Sequence, residues 1–208
     1  GKVMAVDCGG SLFNCKAVIV ATGGISYPLT GSTGDGYTWA EKLGHTIVNP
    51  RPSLVGLHSP EKWVGDLEGL ALKNVGFKLF HGDKLIYEDF GEMLFTGKGI
   101  SGPVVLSGSR HVLDFDYKNI SASIDLKPAL NMEKLDNRLR RDFEELSRKQ
   151  VSNALGGLLP KRLIPVVLKK WGVSCELFVN QVTRAQRQHL AEVLKNFTVK
   201  LEGSEGFE

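Results

Sequence analysis

Residues 71–95 read ALKNVGFKLFHGDKLIYEDFGEMLF. Two runs, 71–80 and 84–95, have the short alternating character of strands. His81-Gly82-Asp83 between them has turn chemistry, so the stretch predicts a β-hairpin. Residues 54–58 and 120–126 carry the same pattern. Repeated short strands with polar turns predict a small antiparallel barrel over residues 51–128. One helix is expected within it over 101–109, with Gly102 and Pro103 in a first turn where proline's missing N–H is harmless.

Downstream, residues 129–196 read as a helical subdomain. Met132, Leu135, Leu139, Phe143 and Leu146 recur at helical spacing with Asp136, Arg140, Arg141 and Glu144 between them, an amphipathic face. Two further helices are expected over 155–159 and 163–171, separated by Pro160, the second closed by Gly172. Thr183 with Gln186 three residues on has the form of a capping box, followed by Leu190, Val193 and Leu194 on one face. Residues 197–201 predict a strand that leaves the helices and, with 202–208, returns toward the segment preceding the barrel. The fold class expected is α+β.

That preceding segment, residues 1–50, contains KAVIVATGGISYPLTGSTGDGY at 16–37. Residues 17–20 read as a buried strand of a sheet covered on both faces. Thr22, Gly23 and Gly24 end it in a turn whose successive N–H groups can face an anion. Gly31, Ser32, Thr33 and Gly34 repeat the device, and a helix from Asp35 to a stop at Gly44 would set a positive dipole end beside it. Residues 3–6 and 12–20 are expected to pair through the Gly9-Gly10 turn, and 45–48 to form a short strand. Pro50 and Pro52 mark the boundary with the barrel.

Composition sets the class. The chain has 208 residues, 42% hydrophobic and 24% charged, as folded globular proteins do. A net charge of +3 does not call for a nucleic-acid partner. Five histidines and three cysteines form no C-x-x-C or H-E-x-x-H, so no metal site is expected. Cys8, Cys15 and Cys175 fit a reducing cytoplasm. Cys8 and Cys15 either face each other across the hairpin or are buried structural thiols. Neither a membrane span nor a signal peptide is read.

The ordered string ATGGxSYPxTGSTGDGYxxAxxxGH at 21–45 resembles the signature of the BaiN-type, aminoacetone-oxidase-like bacterial flavoproteins, NAD(P)/FAD-dependent oxidoreductases. PSLVGL at 52–57, GEMLFT at 91–96, GISGP at 99–103 and IDLKP at 124–128 follow in the family's order, so the resemblance covers essentially the whole chain. It implies that residues 1–50 are part of an FAD-binding α/β domain and that the barrel, akin to those of translation factors, is an insert. It also implies an N-terminal GxGxxG strand-turn-helix for the pyrophosphate and a closing flavin segment. Neither a GxGxxG anywhere in the chain nor the closing segment is read here, and the chain is read as the middle of a longer flavoprotein.

The resemblance places Ala21, Thr22, Gly23 and Gly24 beside the FAD, through backbone groups, with Ser26, Tyr27, Pro28, Thr30, Gly31 and Gly34 as the adjoining wall. Tyr27 reads equally as a core aromatic. A carboxylate repels phosphate, so Asp35 is assigned to capping the helix at Gly36. Thr96, Gly99, Ile100, Ser101 and Gly102 are assigned to a lid facing substrate or flavin, with N–H donors at the helix start. Many members of the family carry a histidine where Gly97 stands here, so no histidine acid is assigned to this loop. Glu92 reads as a structural anchor, and Lys98 as a solvated loop lysine or a contact for an anionic substrate or NAD(P)H phosphate. No catalytic side chain is assigned.

Two functions are carried forward. One is a part of an FAD oxidoreductase, reduced by NAD(P)H and acting on a small organic substrate, inactive and without FAD in isolation. The other is a non-catalytic barrel-plus-helix module for a protein or RNA partner. Arg138, Arg140 and Arg141 are offset by Asp136, Asp142, Glu144 and Glu145, so no nucleic acid is expected. Exposed strand edges leave self-association open.

Overall fold

The computed structural model describes residues 2–207 and divides them into two units, residues 2–52 with 206–207 and the larger Ser53–Glu205. In the larger unit the alternating segments pair into one seven-stranded sheet. The strands are β3 (Leu57–His58), β4 (Ala71–His81), β5 (Lys84–Phe95), β6 (Gly99–Ser101), β7 (Ile120–Asp125), β8 (Phe197–Leu201) and β9 (Gly203–Ser204). Their order is β8-β7-β4-β5-β6-β3-β9, every pair antiparallel. β8 and β9 lie at opposite ends of that order yet are separated in sequence only by Glu202. One run of chain therefore pairs with β7, changes partner, and pairs with β3, which closes the sheet into a barrel.

The period of two fills the barrel. Leu72, Val75, Phe77 and Leu79 of β4, Ile120, Ala122 and Ile124 of β7, and Phe197, Val199 and Leu201 of β8 are all buried. Phe77, Phe95 and Phe197 are fully enclosed, each contributing about 1.5–3 kcal/mol by leaving water. The β4–β5 hairpin turns on Gly82 and Asp83, with His81 opposite Lys84. Between Leu72 and Val75 the register shifts, a bulge that sets Lys73 and Asn74 against Glu92 alone. Helix α2 (Pro103–Ser109) follows β6.

Helices α3 (Met132–Glu145), α4 (Val151–Ala154), α5 (Ile164–Trp171) and α6 (Arg184–Lys195) form the second half of this unit. The faces of α3 and α6 read from spacing are the buried ones: Leu135, Leu139 and Phe143, then Leu190, Val193 and Leu194. The α6 capping box forms as expected, Gln186 N–H donating to Thr183 Oγ1 at 3.2 Å and Thr183 N–H to Gln186 Oε1 at 2.9 Å. Residues 155–159, expected as helix, are a single 3-10 turn, Leu155–Gly157, because Gly156 and Gly157 interrupt α4. Arg187 grips Asp136 with Nε and a terminal nitrogen at 2.8 and 3.1 Å, tying α6 to α3. Trp171 Nε1 donates to the Gln186 carbonyl at 2.7 Å, tying α5 to α6. Lys195 Nζ reaches Asp125 Oδ2 at 2.5 Å and the Leu130 carbonyl at 2.8 Å, fixing the loop after β7.

The last strand, expected to lead back toward the preceding segment, pairs with the barrel first, and residues 206–207 then group with the smaller unit. β8 belongs to the barrel, because Phe197, Val199 and Leu201 find their burial opposite β7.

The smaller unit contains a hairpin, β1 (Ala5–Cys8) with β2 (Ser11–Asn14), and α1 (Asp35–Lys42). None of its described residues is buried. Residues 17–20 form no strand, and Ile19 is 92% exposed. No described segment pairs with this run, so it has neither a ladder nor a surface to cover it. Residues 45–48 likewise form no strand. Cys8 pairs with Ser11, not Cys15, and Cys8 and Cys175 are exposed rather than buried thiols. Among the described residues, no helix is long and apolar enough to cross a membrane, and no His, Cys, Asp and Glu side chains group as metal ligands.

Candidate functional site

Two regions carry the residues singled out from sequence, one in each unit. In the smaller unit the turn after residue 20 folds back on the start of α1. Gly34 N–H donates to the Gly24 carbonyl at 3.0 Å, and a Cβ on Gly36 would fall 2.5 Å from Thr22 Oγ1. A side chain at Gly36 would displace the Thr22 hydroxyl from the start of the helix. Among the described residues no acceptor takes the amide N–H of Thr22, Gly23 or Gly24. Three consecutive free donors beside a helix N-terminus suit a negatively charged ligand.

The adjoining wall is built from local bonds. Pro28–Thr30 is one 3-10 turn, with Thr30 donating its amide and hydroxyl to the Tyr27 carbonyl at 2.9 and 2.7 Å. Gly31 N–H donates to the Pro28 carbonyl at 3.0 Å. Tyr27 is held left-handed at φ 56° and its side chain is 65% exposed, so it is not a core aromatic. A strained, unpacked aromatic is the kind of residue found at ligand sites. Ala21 and Ser26 are exposed. Asp35 does not cap the helix. Gly34 occupies the N-cap, and Asp35 is the first helical residue, accepting from Thr33 Oγ1 at 2.8 Å. Its carboxylate still complements the dipole from the first turn.

The stretch assigned to a lid is different in kind. Residues 99–101 are strand β6, paired on one side with β5 and on the other with β3. Gly99 is buried and Ile100 fully so, hence neither presents a side chain to a ligand. Thr96 is spent in the turn before β6, its amide donating to the Gly99 carbonyl at 2.9 Å and its Oγ1 accepting from Gly99 N–H at 3.1 Å. Gly97 and Lys98 form the exposed tip, and Ser101 and Gly102 are half-buried. Gly97-Lys98-Gly99-Ile100-Ser101-Gly102 has the spacing GxGxxG between a strand and a helix, a match missed in reading the sequence. Here the spacing serves close packing: a Cβ on Gly99 would lie 1.9 Å from the Leu57 carbonyl oxygen, and one on Gly102 2.8 Å from Met93 Cα. The sheet is antiparallel and the phosphate-binding geometry of a parallel βαβ unit is not formed.

Beside β6, His58 of β3 has its Nε2 buried with no hydrogen-bond partner among the described residues. An unmatched buried nitrogen costs about 1–3 kcal/mol, which a ligand or further chain reaching it would relieve. Sequence held no signal for it, since burial of one ring nitrogen depends on the strand pairing. On β5, Tyr87 donates to Asp89 Oδ2 at 2.7 Å and stacks on His111, ring centroids 5.0 Å apart. Burial, with Asp89 adding to it, pushes the Tyr87 hydroxyl up to about 12, so it stays protonated at neutral pH. Lys170 of α5 lies over the rings of Trp63 and Phe197 at 5.1 and 5.2 Å, and burial lowers its pKa. It serves to join helix and barrel.

Comparison with known proteins adds the following. The model of a family described as HI0933-like protein barrel and H2TH domain matches residues 51–208. The chain is 30% identical over 197 residues to a ribosomal RNA dihydrouridine synthase of Haemophilus influenzae, covering 94% of this chain and 46% of that protein. It is 29% identical over 202 residues to a protein of the same name in Escherichia coli, covering 97% of this chain and 48% of that protein. It is also 27% identical over 209 residues to a 3-dehydro-bile acid delta(4,6)-reductase of Clostridium scindens, covering 100% of this chain and 51% of that protein. The chain thus spans about half the length of the curated relatives it matches.

Proposed function

Because this chain belongs to the family of HI0933-like proteins with a barrel and H2TH domain, we propose that it is part of a flavin-dependent reductase that saturates a carbon–carbon double bond conjugated to a carbonyl. The names of its relatives describe two substrates and one kind of bond change. A dihydrouridine synthase saturates the uracil ring beside its C4 carbonyl, and a delta(4,6)-reductase acts on an alkene in line with a 3-ketone. In a conjugate reduction of this kind a hydride adds to the carbon remote from the carbonyl and a proton to the nearer one. Two of the relatives are named for ribosomal RNA, and uridine in RNA is the substrate we favour.

The observation that carries the cofactor half of this reading is the Thr22-Gly23-Gly24 turn, with three free amides at the start of α1. These residues fit a dinucleotide. The amides would donate to its phosphate or ribose oxygens, and Gly34 and Gly36 keep that wall free of side chains. Tyr27, exposed and rigidly set, would cover one flank, with Ser26 as a polar neighbour. FAD when bound supplies the hydride, with NAD(P)H as the outside reductant. The protein contributes position and donors. Thr22 to Gly24 form one wall of the site, which this chain alone leaves incomplete.

The test is an FAD titration of this chain beside a form extended at both ends to the length of its relatives. We expect only the extended protein to bind one FAD, to be bleached by NAD(P)H, and to convert uridine in RNA to dihydrouridine. Gly23→Asp, which sets a carboxylate among the free amides, should lower FAD affinity at least about tenfold. An extended protein that ignores FAD would overturn the reading and leave a non-catalytic module.

A further inference from the structure

On the outer face of the larger unit, the β4 bulge, β5, the loop after β7 and α3 enclose an open groove of about 630 Å³. Asn74, Phe90, Lys127, Pro128, Leu130 and Arg138 line it, and no carboxylate does. Phe90 stands 60% exposed in the middle of a long strand, opposite Gly76, which has no side chain to cover it. The bulge brings Asn74 to the rim and Lys73 to the adjoining cleft. Lys195, bonded to the carbonyls of Lys127 and Leu130, holds the loop in place.

The charges are arranged for an anion. Lys127 Nζ has no acceptor among the described residues, and burial first, then the nearby Arg138 cation, lowers its pKa. Arg138 gives only its Nε to Asp142, at 3.1 Å, which leaves its terminal nitrogens free. Glu88 and Glu92 share the strand face of Phe90; Glu88 is paired with Lys78 at 3.1 Å, and Glu92 lies outside the lining of the groove. A bare aromatic face, an amide able to donate and accept, the unpaired Lys127 cation and the free terminal nitrogens of Arg138 are the elements that grip a single-stranded nucleotide. The ring stacks the base, the amide meets its polar edge, and the cations take the phosphate.

We propose that this groove binds single-stranded RNA, stacking one base on Phe90 with the adjoining phosphate on Lys127 and Arg138. It is an RNA-docking site on the barrel–helix unit. The inference rests on the RNA branch of the proposed function, and deepens it by naming where the strand is held.

The experiment is fluorescence anisotropy of a labelled oligouridylate with the 208-residue chain, across a salt series and without flavin. We expect binding that weakens with salt. Phe90→Ala should lower affinity about 5- to 100-fold, and Phe90→Tyr should restore most of it. Lys127→Gln should flatten the slope of log K against log salt by about 0.7. An abasic oligomer should not sense Phe90→Ala. Thermal melts confirm that each variant is folded. No binding at about 50 mM salt, or variants that bind as the wild type does, would overturn the proposal. Capture of cholate in place of RNA, lost in Lys127→Gln, would also overturn it and make the groove a small-anion pocket. Because no turnover is read, failure here leaves the reductase reading standing, and an extended protein without FAD leaves the groove standing.

Discussion

Gly99 shows how strictly a single position can be set by its neighbours. Its hypothetical Cβ meets backbone, the Leu57 carbonyl, which cannot move without breaking the β3–β6 pairing. Gly97, two residues earlier, would meet only the Glu68 carboxylate at 3.2 Å, the far end of a flexible side chain. Gly99→Ala should therefore cost about 3 kcal/mol in urea unfolding, and Gly97→Ala less than about 1. Equal costs would mean that the turn before β6 is more plastic than its packing indicates. The sequence displayed both glycines alike. What separates them is the strand lying across one of them, which only the assembled sheet reveals.

Between elements, Arg187 and Asp136 form a two-point ion pair. The guanidinium holds the Asp136 carboxyl below the usual carboxylate range, and the carboxylate raises Arg187 in turn. A lowered carboxyl stabilises the fold fully above its unfolded value, about 3.9, and the contribution fades as pH falls through the folded value. Asp136→Asn should cost about 1.5–3 kcal/mol at pH 7, and the gap to wild type should narrow by pH 3 in urea melts. A gap independent of pH would mean that the pair acts through packing alone. At this level the sequence was most legible where bonds are local. The capping box and the β4–β5 hairpin depend on residues within a few positions of one another, so their chemistry stands in the string. Residues 17–20 failed for the complementary reason. An apolar run states a demand for burial, but whether a partner strand meets it is not written in the run. The Phe90 groove escaped as well, since its four contributors lie up to 64 residues apart in the chain, from Asn74 to Arg138.

Taken whole, the molecule keeps its apolar interior in one unit. Every buried hydrophobic residue lies within Ser53–Glu205, whereas the described part of residues 2–52 exposes Val3, Met4, Leu12, Phe13, Ile19 and Trp39. Removing residues 1–52 should leave the melting temperature within about 3 °C, the shift that about 1 kcal/mol produces in a domain of this size. The same deletion should lower the fluorescence of a dye that binds exposed apolar surface. A collapse of the cooperative melt would instead show that Ser53–Glu205 does not hold its interior by itself. The barrel and the helical half were both foreseen from periodicity, whereas the pairing of the last strand with β7 was not, because a strand's pattern does not name its neighbour.

The change of partner at Glu202 has a last consequence. β3 and β9 lie side by side, with Glu205 N–H on the Gly56 carbonyl at 3.0 Å, so the chain enters and leaves the barrel–helix unit at one place. A body whose two ends touch can be spliced into a surface loop of another protein without stretching its host. It can equally be joined end to end and reopened at Gly82-Asp83. With both ends at one place and every buried hydrophobic residue inside it, the unit has the makings of a self-contained cassette.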